Sequence, residues 1–287
     1  MATKIEWCEE TWNPIVGCTK TSTGCTNCYA EKMACRLAHM NQRAYQEVTE
    51  GDTENWFRRW NGKVMFREDQ IDKPLHWKKP RRIFVCSMGD LFHEDVKEKW
   101  IGQVYGHIAW AWKHTFIVLT KRPRKMAEFH HALAHYPKGN ESQRPIPGPP
   151  PNLWIGVTAE NQARADERIP ILMKIPAAVR WVSLEPLLEP VDIERFLADD
   201  DAEQDTSQYE NWKNGTGIDW VVVGCESGPN RRPCKLEWVE SIVEQCKAAG
   251  VPCFVKQIEV DGRMSKDPLE WPKWARVREW PNGSYHH

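Results

Sequence analysis

Short, almost unbroken apolar runs alternate along the chain with longer stretches in which apolar positions recur every three or four residues. The runs are Arg82–Cys86, Thr115–Leu119, Leu153–Val157, Val179–Ser183, Asp219–Val223 and Cys253–Val255, with a weaker one over Trp12–Val16. From Arg82 onward their starts are spaced by roughly 26 to 40 residues, which is the spacing of βα units. Strands this uniformly apolar belong in a parallel sheet covered on both faces. Between them, Val96, Trp100, Ile101, Val104 and Ile108 share one face of a helix predicted to begin near Glu94. Leu236, Val239, Ile242, Val243 and Cys246 do the same, with Gly250 placed to end that helix. A further helix is predicted over Tyr29–Met40. Two segments interrupt the rhythm: 136–152, with five prolines after Gln143, and the acidic, polar stretch 198–217. Because the pattern resumes after each, both read as surface insertions in a single α/β domain spanning residues 1–287. The expected architecture is a partial or complete (β/α) barrel.

In such folds ligands sit at the carboxyl ends of the strands, so the residues that follow each run carry the functional information. They are Ser87-Met88-Gly89-Asp90, Thr120-Lys121-Arg122, Thr158-Ala159-Glu160-Asn161, Ser183-Leu184-Glu185-Pro186, Gly224-Cys225-Glu226-Ser227-Gly228 and Lys256-Gln257. Capping of the next helix accounts for a residue such as Asn161. It accounts less readily for three separate glutamates, Glu160, Glu185 and Glu226.

Composition narrows the setting. Lys and Arg number 39 against 40 Asp and Glu, so any basic surface has to be local. No apolar run approaches a membrane span, and the first residues lack the apolar core of a signal peptide, so a cytoplasmic location away from membranes is expected. The chain has ten cysteines, and in a reducing compartment clustered cysteines point to metal binding or catalysis rather than to disulfides. Five of them (Cys8, Cys18, Cys25, Cys28 and Cys35) fall within the first 35 residues. Cys246 and Cys253 sit in apolar patterns and read as small core residues.

The densest chemistry lies in Gly17–Ala30, where Cys18, Cys25 and Cys28 are spaced C-x6-C-x2-C among small polar residues and two glycines. Thiolates are soft ligands that select zinc or iron–sulfur clusters. A structural zinc site needs four ligands, so it would have to recruit Cys8, Cys35 or a histidine. A cubane cluster held by three cysteines would instead leave one iron free to bind something else.

A triple-cysteine loop that follows a first strand and opens a (β/α) barrel resembles the radical S-adenosylmethionine superfamily, with three more residues in the first gap than its commonest C-x3-C-x2-C. The wider chain resembles a phage- and prophage-associated, three-Cys-motif family of unknown function. The matching segments are Trp12-Asn13-Pro14, Cys28-Tyr29-Ala30, Ser87–Phe92, Leu119–Pro123, Ser183–Leu187 and Gly224–Pro229. The superfamily resemblance implies a partial or complete barrel of radical S-adenosylmethionine type. It implies a [4Fe–4S] cluster on Cys18, Cys25 and Cys28, with S-adenosylmethionine on the fourth iron and an external electron donor. Reductive cleavage would give a 5′-deoxyadenosyl radical that abstracts hydrogen from a substrate. Ser87, Gly89 and Asp90 would form the turn that binds the methionine amino group, and Glu160 or Asn161 would hold the ribose. Glu185 and Glu226 would face the same chamber as candidate catalytic groups acting on substrate or cofactor.

Local basic segments hint at the substrate: Lys78–Arg82, Lys121–Lys125 and Arg231-Arg232-Pro233. They make a nucleic acid or nucleotide the expected substrate, with Lys121, Arg122, Arg231 and Arg232 gathered at the barrel mouth. The alternative is a zinc-stabilised nucleic-acid-binding protein without radical catalysis, using some of the sixteen tryptophans as stacking platforms. Trp100, Trp154, Trp181 and Trp220 lie within predicted elements and read as core.

Overall fold

The computed structural model describes residues 5–52, 57–134, 150–197, 217–228 and 230–281. Most of both predicted insertions lies outside these residues. The central feature is an eight-stranded sheet built in sequence order. It runs from β1 (Glu10–Trp12) through β6 (Arg82–Val85), β7 (Thr115–Thr120), β8 (Leu153–Thr158), β9 (Val179–Leu184), β10 (Trp220–Gly224) and β11 (Cys253–Val260) to β12 (Arg263–Ser265). All neighbours pair in parallel except β12, which turns back antiparallel on β11. Between β1 and β6 lie two small antiparallel ribbons, β2 (Ile15–Val16) with β5 (Met65–Phe66) and β3 (Thr49–Asp52) with β4 (Phe57–Trp60). They accompany helices α1 (Tyr29–His39) and α2 (Arg43–Glu47).

The later helices are the crossovers that parallel pairing requires. They are α3 (Glu98–Trp110), α4 (Pro123–Ala134), α5 (Gln162–Met173), α6 (Glu194–Leu197) and α7 (Leu236–Ala249). Helix α3 starts four residues later than its apolar pattern suggests, because Val96 is already buried in the turn that precedes it. Helix α7 ends as expected, with Gly250 in the left-handed region at φ 68°. The run at Trp12–Val16 is split by Asn13-Pro14 into β1 and β2, since proline cannot donate to a ladder.

The two faces of the sheet have different cores, and the period-two alternation of the strands sorts them. Ile83, Val85, Phe116, Val118, Ile155, Val182, Val221 and Val255 point outward to the helices and form the larger cluster. Ile117, Trp154, Trp181, Trp220, Val222 and Phe254 point the other way and gather with Trp7. Gly156 makes that inner packing feasible: a Cβ there would lie 2.5 Å from the Trp181 indole nitrogen.

One ring shows that the sheet is curled around this inner face. The Trp7 centroid lies 4.8 Å from Phe84 on β6 and 6.2 Å from Trp220 on β10. Those strands are four places apart, about 19 Å in a flat sheet, which a single indole cannot bridge. The curl remains open, because β1 and β12 stand at opposite edges of the strand order. No helix among the described residues is long and apolar enough to cross a membrane.

Trp7 is buried at the hub of the inner face, whereas Trp112 projects into solvent. Replacing Trp7 by alanine should therefore lower stability by about 3–5 kcal/mol in a denaturant titration. Trp112→Ala should change it by less than about 0.5 kcal/mol.

Candidate functional site

At the carboxyl ends of the strands the inner face opens into a cavity of about 230 Å³. Cys18, Cys25 and Cys28 all line it, together with Ser87, Gly89, Asp90, Lys121, Arg122, Thr158, Glu185 and Glu226. Residues from five consecutive parallel strands thus meet the cysteine loop. Glu160 and Asn161 are absent from the lining. Asn161 caps α5, accepting from the backbone N–H of Arg164 at 3.0 Å, so it serves the helix it precedes.

The cysteine loop has little regular structure: one 3₁₀ turn at Thr23–Cys25 before Cys28 caps α1. Charge pairs at three strand ends hold it. At its start, Arg122 donates to the Thr19 carbonyl at 3.0 Å and to the Thr19 hydroxyl at 2.7 Å, with Nη1 3.7 Å from Cys18 Sγ. The same guanidinium pairs with Asp90 at 3.1 Å and Glu94 at 2.8 Å. In the middle, the Gly24 N–H donates to Glu160 Oε1 at 3.1 Å, while Arg168 pairs with Oε2 at 3.1 Å. A side chain at Gly24 would collide with that carboxylate, its Cβ only 2.8 Å from Glu160 Cδ. At the end, Asn27 donates to Glu226 Oε2 at 2.8 Å, and Arg232 binds both that oxygen (Nε, 3.1 Å) and the Thr23 carbonyl (2.9 Å).

These contacts change the reading of several expected site residues. Asp90 borders the cavity, but its carboxylate already accepts from Thr120 Oγ1, the Phe92 N–H, the Lys121 N–H and Arg122. Those four donors fill the acceptor directions of an ionised carboxylate, so Asp90 organises the strand ends and has none to spare for a ligand. Glu160 and Glu226 act as clasps. Of the basic residues expected at the mouth, Arg122 and Arg232 are committed to the clasps, and Arg231 turns to the Gly262 carbonyl and towards Glu259. Gly89 lies on the wall, and backbone crowding requires its bare Cα, since a Cβ would sit 3.0 Å from the Gly17 carbonyl. Glu185 accepts from Lys256 at 2.6 Å and from Gln257 at 3.2 Å, both at Oε1. No bond to its Oε2 is found among the described residues.

Asn27, Arg168 and Asn13 escaped the sequence reading. Asn27 stands between two cysteines, and Arg168 lies eight residues beyond its partner on the following helix. Asn13 accepts from the Ser87 hydroxyl and the Met88 N–H, tying the first strand to the β6 turn. For Asn13 and Asn27 a short polar residue in a tight turn was the available signal, whereas Arg168, within α5, gave none.

The three thiols differ electrostatically. Burial and the neighbouring Asp90 push the Cys18 thiol up to about 12, although Arg122 pulls the other way. Burial also opposes ionisation of Cys25, but the Lys121 charge and hydrogen bonds from Thr21 and Ser22 outweigh it and bring that thiol below its ordinary value. Cys86 borders the cavity too, yet full burial raises its thiol strongly, against the lowering effect of a hydrogen bond with the Ile15 backbone. Among the described residues no group of three or more His, Cys, Asp or Glu converges tightly enough to hold a metal ion as the side chains stand.

The fold and site thus define an α/β protein with a curled parallel sheet and a thiol-lined cavity at its carboxyl edge. The family described as "Protein of unknown function (DUF5131)" matches residues 2–276, and the chain belongs to it. No curated protein and no solved structure matches the chain.

The clasps should be measurable. The Glu160–Arg168 pair is almost fully buried, so Arg168→Met should strand a buried carboxylate and lower stability by about 3–5 kcal/mol. Arg232 is more exposed, and its replacement should cost less. Hydrogen bonds from the loop and the paired arginines outweigh burial and hold Glu160 and Glu226 below the usual carboxylate range. Their contribution is therefore complete above the unfolded value, about 4.3, and is lost as pH falls through the folded values. The melting temperature should be flat near neutrality and fall below about pH 4.5. That fall should be shallower in Glu160→Gln. In metal-free protein, alkylation near pH 8 followed by mass spectrometry should label Cys25 before Cys18, and Lys121→Met should slow Cys25.

Proposed function

We propose that this chain is an iron–sulfur enzyme of the radical S-adenosylmethionine type, with Cys18, Cys25 and Cys28 holding a [4Fe–4S] cluster. The observation that carries the proposal is that these three thiols line one cavity at the carboxyl ends of a curled, mostly parallel sheet. The donor set fits such a group: three soft ligands, one beside an arginine and one favoured as thiolate by a lysine. The open, curled sheet supports a partial barrel. With S-adenosylmethionine bound, the group supplies one-electron sulfonium cleavage and hydrogen-atom abstraction from a substrate.

The chain's own residues have distinguishable tasks in this reading. Arg122 neutralises charge beside Cys18, and the three clasps keep the thiols in place while ligands come and go. The Trp7 cluster closes the inner face beneath the cavity and excludes water from that side. Ser87, Gly89 and Thr158 offer a polar wall on which a cofactor can be oriented. Glu185, with Oε2 directed to no protein donor among the described residues, is the best-placed carboxylate to act on substrate or cofactor. Lys121 supplies a cation suited to a nucleotide or another small anionic substrate. An external electron donor would approach across the cysteine loop.

A closed zinc site is the competing reading, and the lining disfavours it. It would need a fourth ligand: among the described residues Cys8, Cys35 and the histidines do not border the cavity, and Cys86, which does, is held as a neutral thiol by its burial.

Anaerobic reconstitution with iron and sulfide should give a brown, oxygen-labile protein with about four irons and four sulfides per chain. Ala at Cys18, Cys25 or Cys28 should remove most of that iron, while Ala at Cys246 should not. The reduced protein should convert S-adenosylmethionine to 5′-deoxyadenosine and methionine. A colourless protein holding one zinc would overturn the reading.

A further inference from the structure

The basic residues expected at the cavity are largely tied up in clasps, but another basic surface lies at the opposite end of the sheet. Residues 78–81 lead into the amino end of β6, and 110–114 lead into the amino end of β7. These strand starts pair directly, Arg82 with Thr115. The cavity sits at the far, carboxyl ends of the same strands.

Trp110 and Trp112 are 69% and 77% exposed, in a chain that buries Trp12, Trp181, Trp220 and Trp271 almost completely. Single exposed apolar residues are ordinary, but two large indoles two residues apart, with Leu75 also exposed on the element packed against α3, leave an apolar patch of separate rings at this end of the sheet. The patch is rigidly mounted. His107 packs edge-on against Trp110 at 5.2 Å and bonds Asp72 at 2.8 Å. Asn152 donates to the carbonyls of Ile108 and His114 at 2.9 Å each, and the His114 ring bonds the Pro74 carbonyl at 3.1 Å. The turn carrying Trp112 is therefore fixed before any partner arrives, which lowers the ordering cost of binding.

The charges around the indoles are available. Lys73, Lys78, Lys79 and Lys113 make no ion pair among the described residues, whereas the adjacent Arg81 and Arg82 are paired with Glu10 and Glu9. Lys73 stands over Trp77 at 5.5 Å, which interleaves cation and ring within the same surface. Flat apolar rings set among unpaired cations match a ligand with anionic groups and unstacked π-faces at regular intervals. A single nucleic-acid strand has both. A duplex hides its base faces, and an acidic peptide would use the lysines but leave the indoles without partners.

We propose that Trp110 and Trp112, with Lys73, Lys78, Lys79 and Lys113, form an anchoring surface for single-stranded nucleic acid, separate from the thiol-lined cavity. This surface does not depend on the iron–sulfur reading, because none of its residues borders the cavity.

Fluorescence anisotropy of labelled fifteen-nucleotide oligo(dT) and oligo(U), titrated with the full chain at several salt concentrations, tests it. Binding should weaken with salt at about −0.7 in log–log slope per phosphate contact. Trp110→Ala with Trp112→Ala should weaken binding at least about tenfold while leaving that slope unchanged. Lys78→Gln with Lys79→Gln should flatten the slope by about 1.4. Leu269→Ala at another exposed apolar position and removal of iron should each leave binding intact. Unchanged melting temperatures would show that the variants are folded. Absence of binding by the unmodified chain, tighter binding of a duplex, or indifference to the tryptophan pair would each overturn the proposal. Indifference combined with loss of self-association in sedimentation would reassign the surface to a contact between copies.

Discussion

At three strand ends a carboxylate–arginine pair grips the cysteine loop, and the geometry of the site depends on that arrangement. An ionised carboxylate near an apolar core is costly unless it is paired and hydrogen-bonded, and a loop with one short turn cannot position three thiols alone. The two requirements answer each other here. Asp90, Glu160 and Glu226 gain arginine partners, and each pair has a member that reaches the loop: Arg122 at Thr19, Glu160 at the Gly24 N–H, and Glu226 with Arg232 at Asn27 and the Thr23 carbonyl. The sheet sets the spacing of the clasps because they rise from β6 and β7, β8, and β10 in turn.

Much of the fold was legible because long-range geometry and local pattern agree. Uniformly apolar runs at βα spacing became parallel strands at almost the expected residues, and Gly250 ended its helix in the backbone conformation glycine favours. The opposed faces were hidden, because fully apolar strands do not reveal which alternate residues point inward. Only the packing of Trp7 against β6, β9 and β10 discloses the curl. The two small ribbons between β1 and β6 were also missed. Their strands are two to four residues long and carry no apolar alternation strong enough to separate them from loop.

The site was legible in its membership more than in its roles. Ser87, Gly89, Asp90, Glu185 and Glu226, picked out by their position after a strand, border a cavity that the cysteines also line, whereas Glu160 and Asn161, picked out in the same way, do not. The same argument cannot tell a carboxylate that waits for a ligand from one already saturated, because saturation depends on partners elsewhere in the chain. Glu226 meets Asn27 from 199 residues away, and Asp90 is filled largely by the carboxyl end of the next strand. Arg122, Arg231 and Arg232 looked like phosphate contacts for the same reason: a basic segment does not show which acids the fold brings to it.

The distance between Asn27 and Glu226 also sets a timetable. Residues at the beginning of the chain are finished into a site only when a loop some 199 positions later has been made and docked. At ordinary synthesis rates, about 5–20 residues per second, that interval is roughly 10 to 40 seconds. Throughout it at least the third clasp is missing, and the three thiols are open to oxidation and to adventitious ions. The site is therefore complete only late, once the last clasp has closed on a loop made among the first residues of the chain.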